Sequence, residues 1–177
     1  ICRGVSSPLL QQKKIEYYEK LGGSKVTLYR DKYKKYAWID FGARICYANG
    51  KERFVSRWKD EILHCFIQKN LSMRKSCYVC PFKLGNMYSD ITIADFWGIG
   101  GVTEKDLRDG VSALMANTKK GSELIQSVFD RLYLMKKPVE KVYQNNQAYL
   151  KPADRPKERE DFYETVLTKG LDAALKK

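Results

Sequence analysis

The chain has one histidine in 177 residues, His64, and five prolines. A lone imidazole cannot build a multi-histidine metal site, and as a single titratable ring it is more often structural than ligating. No apolar run approaches the roughly 20 residues that a membrane span requires. No secretory signal is present, and the chain begins Ile1-Cys2 without a methionine, which reads as a fragment or an excised domain lacking an N-terminal portion. Internal repeats and low-complexity tracts are absent. The five cysteines are odd in number and their spacing gives no disulfide framework, so a reduced, cytoplasmic protein with a metal or redox use for some of them is expected. Carboxylates are in short supply: 33 Lys and Arg face 21 Asp and Glu, a formal charge of +12.

That surplus calls for anionic company, such as a phosphate-bearing cofactor, nucleic acid or anionic lipid. The basic residues are dispersed and no groove-reading motif accompanies them, so nucleic acid is not the expected partner. A hydrophobic fraction of 44% and an aromatic fraction of 12% describe an ordinary globular chain, long enough for one good core or two small ones.

Ser7 as N-cap and Pro8 as first helical residue predict a helix through Leu21, stopped by Gly22-Gly23. The Gly-Val-Ser-Ser loop before it could seat an anion or simply cap the helix. Alternation over Lys25–Arg30 and Tyr36–Tyr47, followed by Asn49-Gly50 and Lys51–Ser56, predicts a three-stranded antiparallel meander. Helical spacing resumes near Trp58, with Ile62, Cys65, Phe66 and Leu71 on its apolar face. Ser89–Trp97 alternates as a strand ending in Gly98-Ile99-Gly100-Gly101, where backbone can approach a ligand. Gly110–Thr118 reads as a buried strand feeding a helix over about Ser122–Leu134, and Pro138–Val142 as a short strand. Tyr143–Ala148 reads as a short helix or loop, and Lys151–Lys157 as a surface connection. Terminal helices over Glu158–Lys169 and Leu171–Lys177 complete a peripheral helical tail spanning 151–177. The expectation is one α/β (α+β) domain over 1–177, with a mixed, largely antiparallel sheet and flanking helices.

The densest chemistry lies in Ser76–Gly101. Cys77 and Cys80, with Pro81 following, could grip one metal or an iron–sulfur centre from a tight turn. A thioredoxin-type dithiol is disfavoured, because such a pair opens a helix and this one runs into a loop. His64, Cys65, Cys77 and Cys80 have the right donor types for structural zinc, although adjacent helical residues rarely reach one ion. Asp90 and Asp95 could cap turns and pair with Arg74 or Lys83, or take part in chemistry.

An ordered set of motifs then resembles the C-terminal domain of the beta subunit of coenzyme F-420 hydrogenases and dehydrogenases. The set is Cys2-x-Gly-Val-x-Ser-Pro, Arg30-Asp31-Lys32, Arg74-x-Ser-Cys77-x-x-Cys80-x-Phe-Lys83, Ser89-Asp-Ile-Thr-Ile-x-Asp95-Phe-Trp-Gly98, and Gly110-Val-Ser with Asn117-Thr118 and Gly121. The resemblance implies an iron–sulfur flavoprotein module for electron transfer, carrying a 4Fe-4S cluster and FAD, with coenzyme F-420 as possible substrate. A redox partner protein or an upstream ferredoxin-like domain would complete it. It further implies Cys77 and Cys80 as cluster thiolates with Cys2 as a third. Arg74, Lys83, Asp95, Trp97 and Gly98 become the cofactor-binding candidates, with Trp97 or Tyr88 placed to stack on a flavin ring. The chain departs from the family at Ser72, where many relatives carry cysteine, which leaves the fourth ligand unaccounted for. The resemblance also covers bacterial members associated with surface-polysaccharide synthesis, so a degenerate or zinc-binding scaffold domain without redox activity is the alternative.

Overall fold

The computed structural model describes residues 1–83 and 88–176. Its architecture is α/β, with helices flanking strands that pair antiparallel throughout. The chain forms two compact units: Gly4–Tyr78 with Ala153–Lys177, and Ile1–Arg3 with Val79–Pro152.

The first unit opens with α1 (Pro8–Gly22). Ser7 Oγ accepts the Leu10 N–H, Pro8 takes the first helical position, and Gly23 ends the helix at φ 61°. The meander follows as β1 (Val26–Tyr33), β2 (Gly42–Tyr47) and β3 (Glu52–Ser56). Asn49-Gly50 makes the β2–β3 turn, with Gly50 at φ 79° and the Asn49 side chain accepting the Lys51 N–H. Residues 36–41, expected as the first half of β2, are not a strand. Trp38 and Phe41 from this stretch are nonetheless buried, as irregular chain. The bulky side chains decided burial there, and the alternation did not decide conformation.

Ala43, Ile45 and Tyr47 alternate inward along β2 and meet Leu10 and Tyr18 of α1. Ile62 and Cys65 of α2 (Glu61–Ile67) close the same core. The final helices, α7 (Arg159–Lys169) and α8 (Leu171–Leu175), lie close to their expected bounds but are not peripheral. Phe162, Val166, Leu171, Ala174 and Leu175 are part of this core. A surface connection reads as the end of a domain in sequence. The apolar stripes beyond it need a face to cover, and the first unit provides one.

Asp60 caps α2 by accepting the Leu63 N–H at 3.0 Å. It is almost wholly buried, and burial pushes its carboxyl above the ordinary carboxylate range. The folded chain therefore holds this proton to higher pH than the unfolded chain. Between the ordinary value and the raised one, Asp60 makes stability fall as pH rises. Asp60→Asn retains the capping oxygen and removes the charge. It is expected to flatten that part of a melting-temperature-against-pH curve and to leave α2 intact by circular dichroism.

The second unit is smaller. Strands β4 (Ile91–Asp95) and β5 (Ser112–Ala116) pair antiparallel, joined through α3 (Glu104–Asp109), which Thr103 and Asp106 cap reciprocally. Thr118 caps α4 (Lys119–Ser127), which ends well short of the expected Leu134. The expected strand at Pro138–Val142 is instead the start of α5 (Val139–Asn145), with Pro138 as its N-cap. The short α6 (Gln147–Leu150) follows. Phe96, Ala113 and Val142 are the buried centre of this unit.

Candidate functional site

Cys77 sits within a 3₁₀ segment, Lys75–Val79, in the first unit. Its backbone N–H donates to the Arg74 carbonyl at 3.0 Å. Residues 4–7 run antiparallel to 72–74: Arg74 N–H donates to Val5 O at 2.9 Å and Ser7 N–H to Ser72 O at 3.3 Å. This pairing brings the Val5 N–H to 3.4 Å from Cys77 Sγ. The Gly-Val-Ser-Ser loop thus has a specific task beyond capping α1, since one of its amides is directed at a thiol. The Arg74 Nε–H donates to Ser6 O at 3.2 Å, so Arg74 ties the same two strands together.

What holds the turn in place comes from the far end of the sequence. Arg159, at the start of α7, is almost fully buried. Its Nη2 donates to Met73 O at 3.1 Å and its Nε to the Tyr78 hydroxyl at 3.2 Å. The Tyr78 hydroxyl donates in turn to Asn70 O at 2.6 Å. The guanidinium lies 4.3 Å from the centre of the Tyr163 ring, whose hydroxyl reaches Ser7 Oγ (2.9 Å) and Ser72 O (3.2 Å). Two carbonyls that precede the cysteine, Ser72 O and Met73 O, are therefore fixed by two residues of α7, and Arg159 also holds the Tyr78 hydroxyl beyond it. Sequence reasoning missed Arg159 because it stands in a charged stretch, Arg155–Asp161, that looks like solvated surface. No local signal distinguishes the one arginine there that is buried.

Arg159→Ala is expected to cost about 3 kcal/mol in urea unfolding, from two charge-assisted hydrogen bonds and the ring contact. Alkylation of Cys77 should become faster at the same time, followed by peptide mass mapping. Arg159→Lys should restore little, because one ammonium cannot span both acceptors in the plane of the guanidinium.

The other sequence candidates fall in the second unit. Cys80 is half-buried just beyond the 3₁₀ segment, and Cys2 is exposed. Lys83 is engaged, donating from Nζ to Ala148 O at 2.6 Å. Asp95 pairs with Ser112 across β4–β5, and its carbonyl accepts the Asn146 side-chain amide at 3.3 Å. Trp97 is half-buried. Gly98 has φ 73°, and a Cβ there would run into the Asn145 side chain. Close approach of α5 thus accounts for a glycine at this position. Gly100 and Gly101 border open space.

Asp90 takes the turn-capping role, accepting from Thr118 Oγ1 at 2.6 Å with Lys120 Nζ at 3.5 Å. The Thr118 hydrogen bond, helped by Lys120, holds its carboxyl below the ordinary range. The expected alternatives, Arg74 and Lys83, instead bind backbone carbonyls. Asn117 donates to Ser89 O and Thr92 Oγ1, so the Ser89–Asp90 and Asn117–Thr118 motifs form one clamp between β4 and α4. Asp31 of Arg30-Asp31-Lys32 accepts the Tyr29 hydroxyl at 2.9 Å, beside a register shift where Lys32 has φ 50°.

Among the described residues no group of three or more His, Cys, Asp or Glu is placed to hold a metal ion. Two members of the zinc set, His64 and Cys65, are engaged within the first unit. The His64 Nε2 lies 3.0 Å from Arg57 O, while Cys65 faces the core and burial pushes its thiol up. For a 4Fe-4S cluster, thiolates are the right donors and the amide aimed at Cys77 suits a ligating sulfur. Their number falls short: Cys2, Cys77 and Cys80 make three, and position 72 is a fully buried serine. The three candidate thiols are thus one fewer than the four that such a cluster takes.

The family model for the C terminus of the coenzyme F420 hydrogenase/dehydrogenase beta subunit matches residues 1–142. The chain belongs to that family. No curated protein and no solved structure matched it. The match ends before α7, so Arg159 and Tyr163, which hold the cysteine turn, lie outside the matched residues. Membership makes this an oxidoreductase-subunit domain related to electron transfer, of the kind that works within a larger redox complex. Among the described residues no helix is long and apolar enough to cross a membrane.

Proposed function

We propose that this domain is an electron-transfer module in which Cys77 and Cys80 supply part of the ligand set of an iron–sulfur centre, with Cys2 as a third thiolate. The remaining donor comes from a redox partner protein or an upstream ferredoxin-like domain. The observation that carries this reading is the Val5 N–H directed at Cys77 Sγ at 3.4 Å, in a turn anchored on both sides. An amide hydrogen bond to a ligating sulfur is one of the levers that set a cluster's potential. FAD, or coenzyme F-420 as substrate, suits the basic surplus, with Arg74, Lys83, Asp95, Trp97 and Gly98 as candidate contacts. An iron–sulfur centre of this kind supplies one-electron transfer when bound. The chain's own part is to hold thiols at and just beyond a fixed turn and to present an amide to one of them.

The test is anaerobic purification of the full-length protein, followed by its visible spectrum and iron content before and after reconstitution. Iron–sulfur and flavin absorption are expected, and Cys77→Ser and Cys80→Ser should each remove most of the iron. A full-length protein with neither absorption after reconstitution overturns the proposal. That outcome would favour the second reading, a scaffold domain without redox activity, for which the buried Ser72 is the motivating observation.

A further inference from the structure

Between α4 and α5 the chain runs through one 3₁₀ turn, Phe129–Arg131, and then without regular structure to Pro138. Every residue from 129 to 140 is exposed. Five of the first seven are large and apolar: Phe129, Leu132, Tyr133, Leu134 and Met135, with Tyr133 91% exposed and Phe129 52%. The helix expected through Leu134 stops at Ser127, which leaves Leu132 and Leu134 outside it, and Leu124 within α4 is outward as well. Each such side chain left in water forgoes the ~1.5–3 kcal/mol that burial would supply. A contiguous strip of them marks a surface that another phase or partner covers.

Charge says which. Arg131, Lys136, Lys137 and Lys141 bracket the apolar run, against Asp130 and Glu140, an excess of two positive charges (four minus two). With the chain at +12, a second copy is repelled and an anionic surface is attracted. Aromatic and aliphatic side chains flanked by Lys and Arg match the layering of a bilayer interface. Rings and short apolar chains sit at headgroup depth, and the cations meet lipid phosphates.

We infer that Phe129–Lys141 is a peripheral membrane-contact strip for anionic phospholipid. Leu132, Tyr133, Leu134 and Met135 enter the headgroup–acyl boundary, and Arg131, Lys136 and Lys137 pair with the phosphates. The inference stands independently of the cysteine chemistry.

Co-sedimentation of the full-length protein with unilamellar vesicles tests it. Binding to vesicles containing phosphatidylglycerol is expected, and little to pure phosphatidylcholine. Leu132→Ser with Leu134→Ser should weaken partitioning roughly tenfold. Lys136→Glu with Lys137→Glu should weaken it by at least about tenfold, with a loss that grows as salt is lowered. All four positions are exposed, and unchanged melting temperatures will verify that the variants fold. Anionic-vesicle binding that the leucine variant leaves unaltered overturns the inference, since net charge alone would then explain it. Absence of binding also overturns it. So does a dimer in light scattering that the leucine variant dissociates, or an acidic protein that competes for the strip while vesicles do not.

Discussion

Deleting residues 158–177 is expected to unfold the Gly4–Tyr78 unit rather than trim it. The deletion removes Phe162, Val166, Leu171 and Leu175 from a core they share with Leu10, Tyr18, Ile45 and Ile62. At about 2 kcal/mol each, four large apolar side chains account for roughly 8 kcal/mol of burial. The total stability of a domain is typically about 5–15 kcal/mol, so the loss is of the same size as the margin. The residues left behind are uncovered in the same step, and Met73 O and the Tyr78 hydroxyl lose Arg159. Loss of cooperative urea unfolding, with tryptophan fluorescence at its denatured position, is the expected result. A truncated chain that still melts cooperatively near the intact temperature would show that α7 and α8 are dispensable after all.

Gly121→Ala should destabilise the second unit by about 3 kcal/mol, although helix propensity points the other way. Gly121 is inside α4, where alanine is favoured over glycine by about 1 kcal/mol. A Cβ at 121, however, would overlap the Asp90 carbonyl oxygen, with the Asp90 carbonyl carbon and the Ile91 side chain immediately behind. The obstacle is backbone at the start of β4, where a rotamer change gives no relief. Either α4 moves off the strand, breaking the Thr118–Asp90 and Asn117–Ser89 hydrogen bonds, or β4 shifts in register. Overpacking against backbone therefore outweighs propensity. A thermal melt resolving the two units tests this, and hydrogen exchange should show the loss confined to β4, β5 and α4. A melting temperature at or above that of the unmodified chain would mean that propensity had won.

The elements legible in advance are those whose cause is local. Ser7-Pro8 and Gly23 define α1 because capping needs only the residues at the helix ends. Asn49-Gly50 sets the β2–β3 hairpin because a tight turn needs a positive φ at Gly50 and nothing from elsewhere. The cysteine turn and its approach loop are likewise visible as motif residues. Donor type and spacing are properties a sequence carries in full, and they define which ligands the motif could offer.

The misjudged elements depend on what lies across the fold. The Pro138–Val142 run is equally apolar as strand or helix, and packing of Val142 with Phe96 and Ala113 settled it as α5. The Lys83 bond to Ala148 O and the approach of Asn145 to Gly98 likewise join residues far apart in the chain. Arg159 is one basic residue among many until the fold buries it against Met73, Tyr78 and Tyr163.

For the Cys77–Cys80 motif, the sequence by itself determined the chemistry on offer: two soft sulfur donors three residues apart. Only the tertiary structure decided that the Val5 amide faces Cys77 and that α7, more than 80 residues away along the chain, holds the turn. The physical reason is that hydrogen-bond partners and burial are properties of neighbours in space. The chain specifies those neighbours only through the fold as a whole.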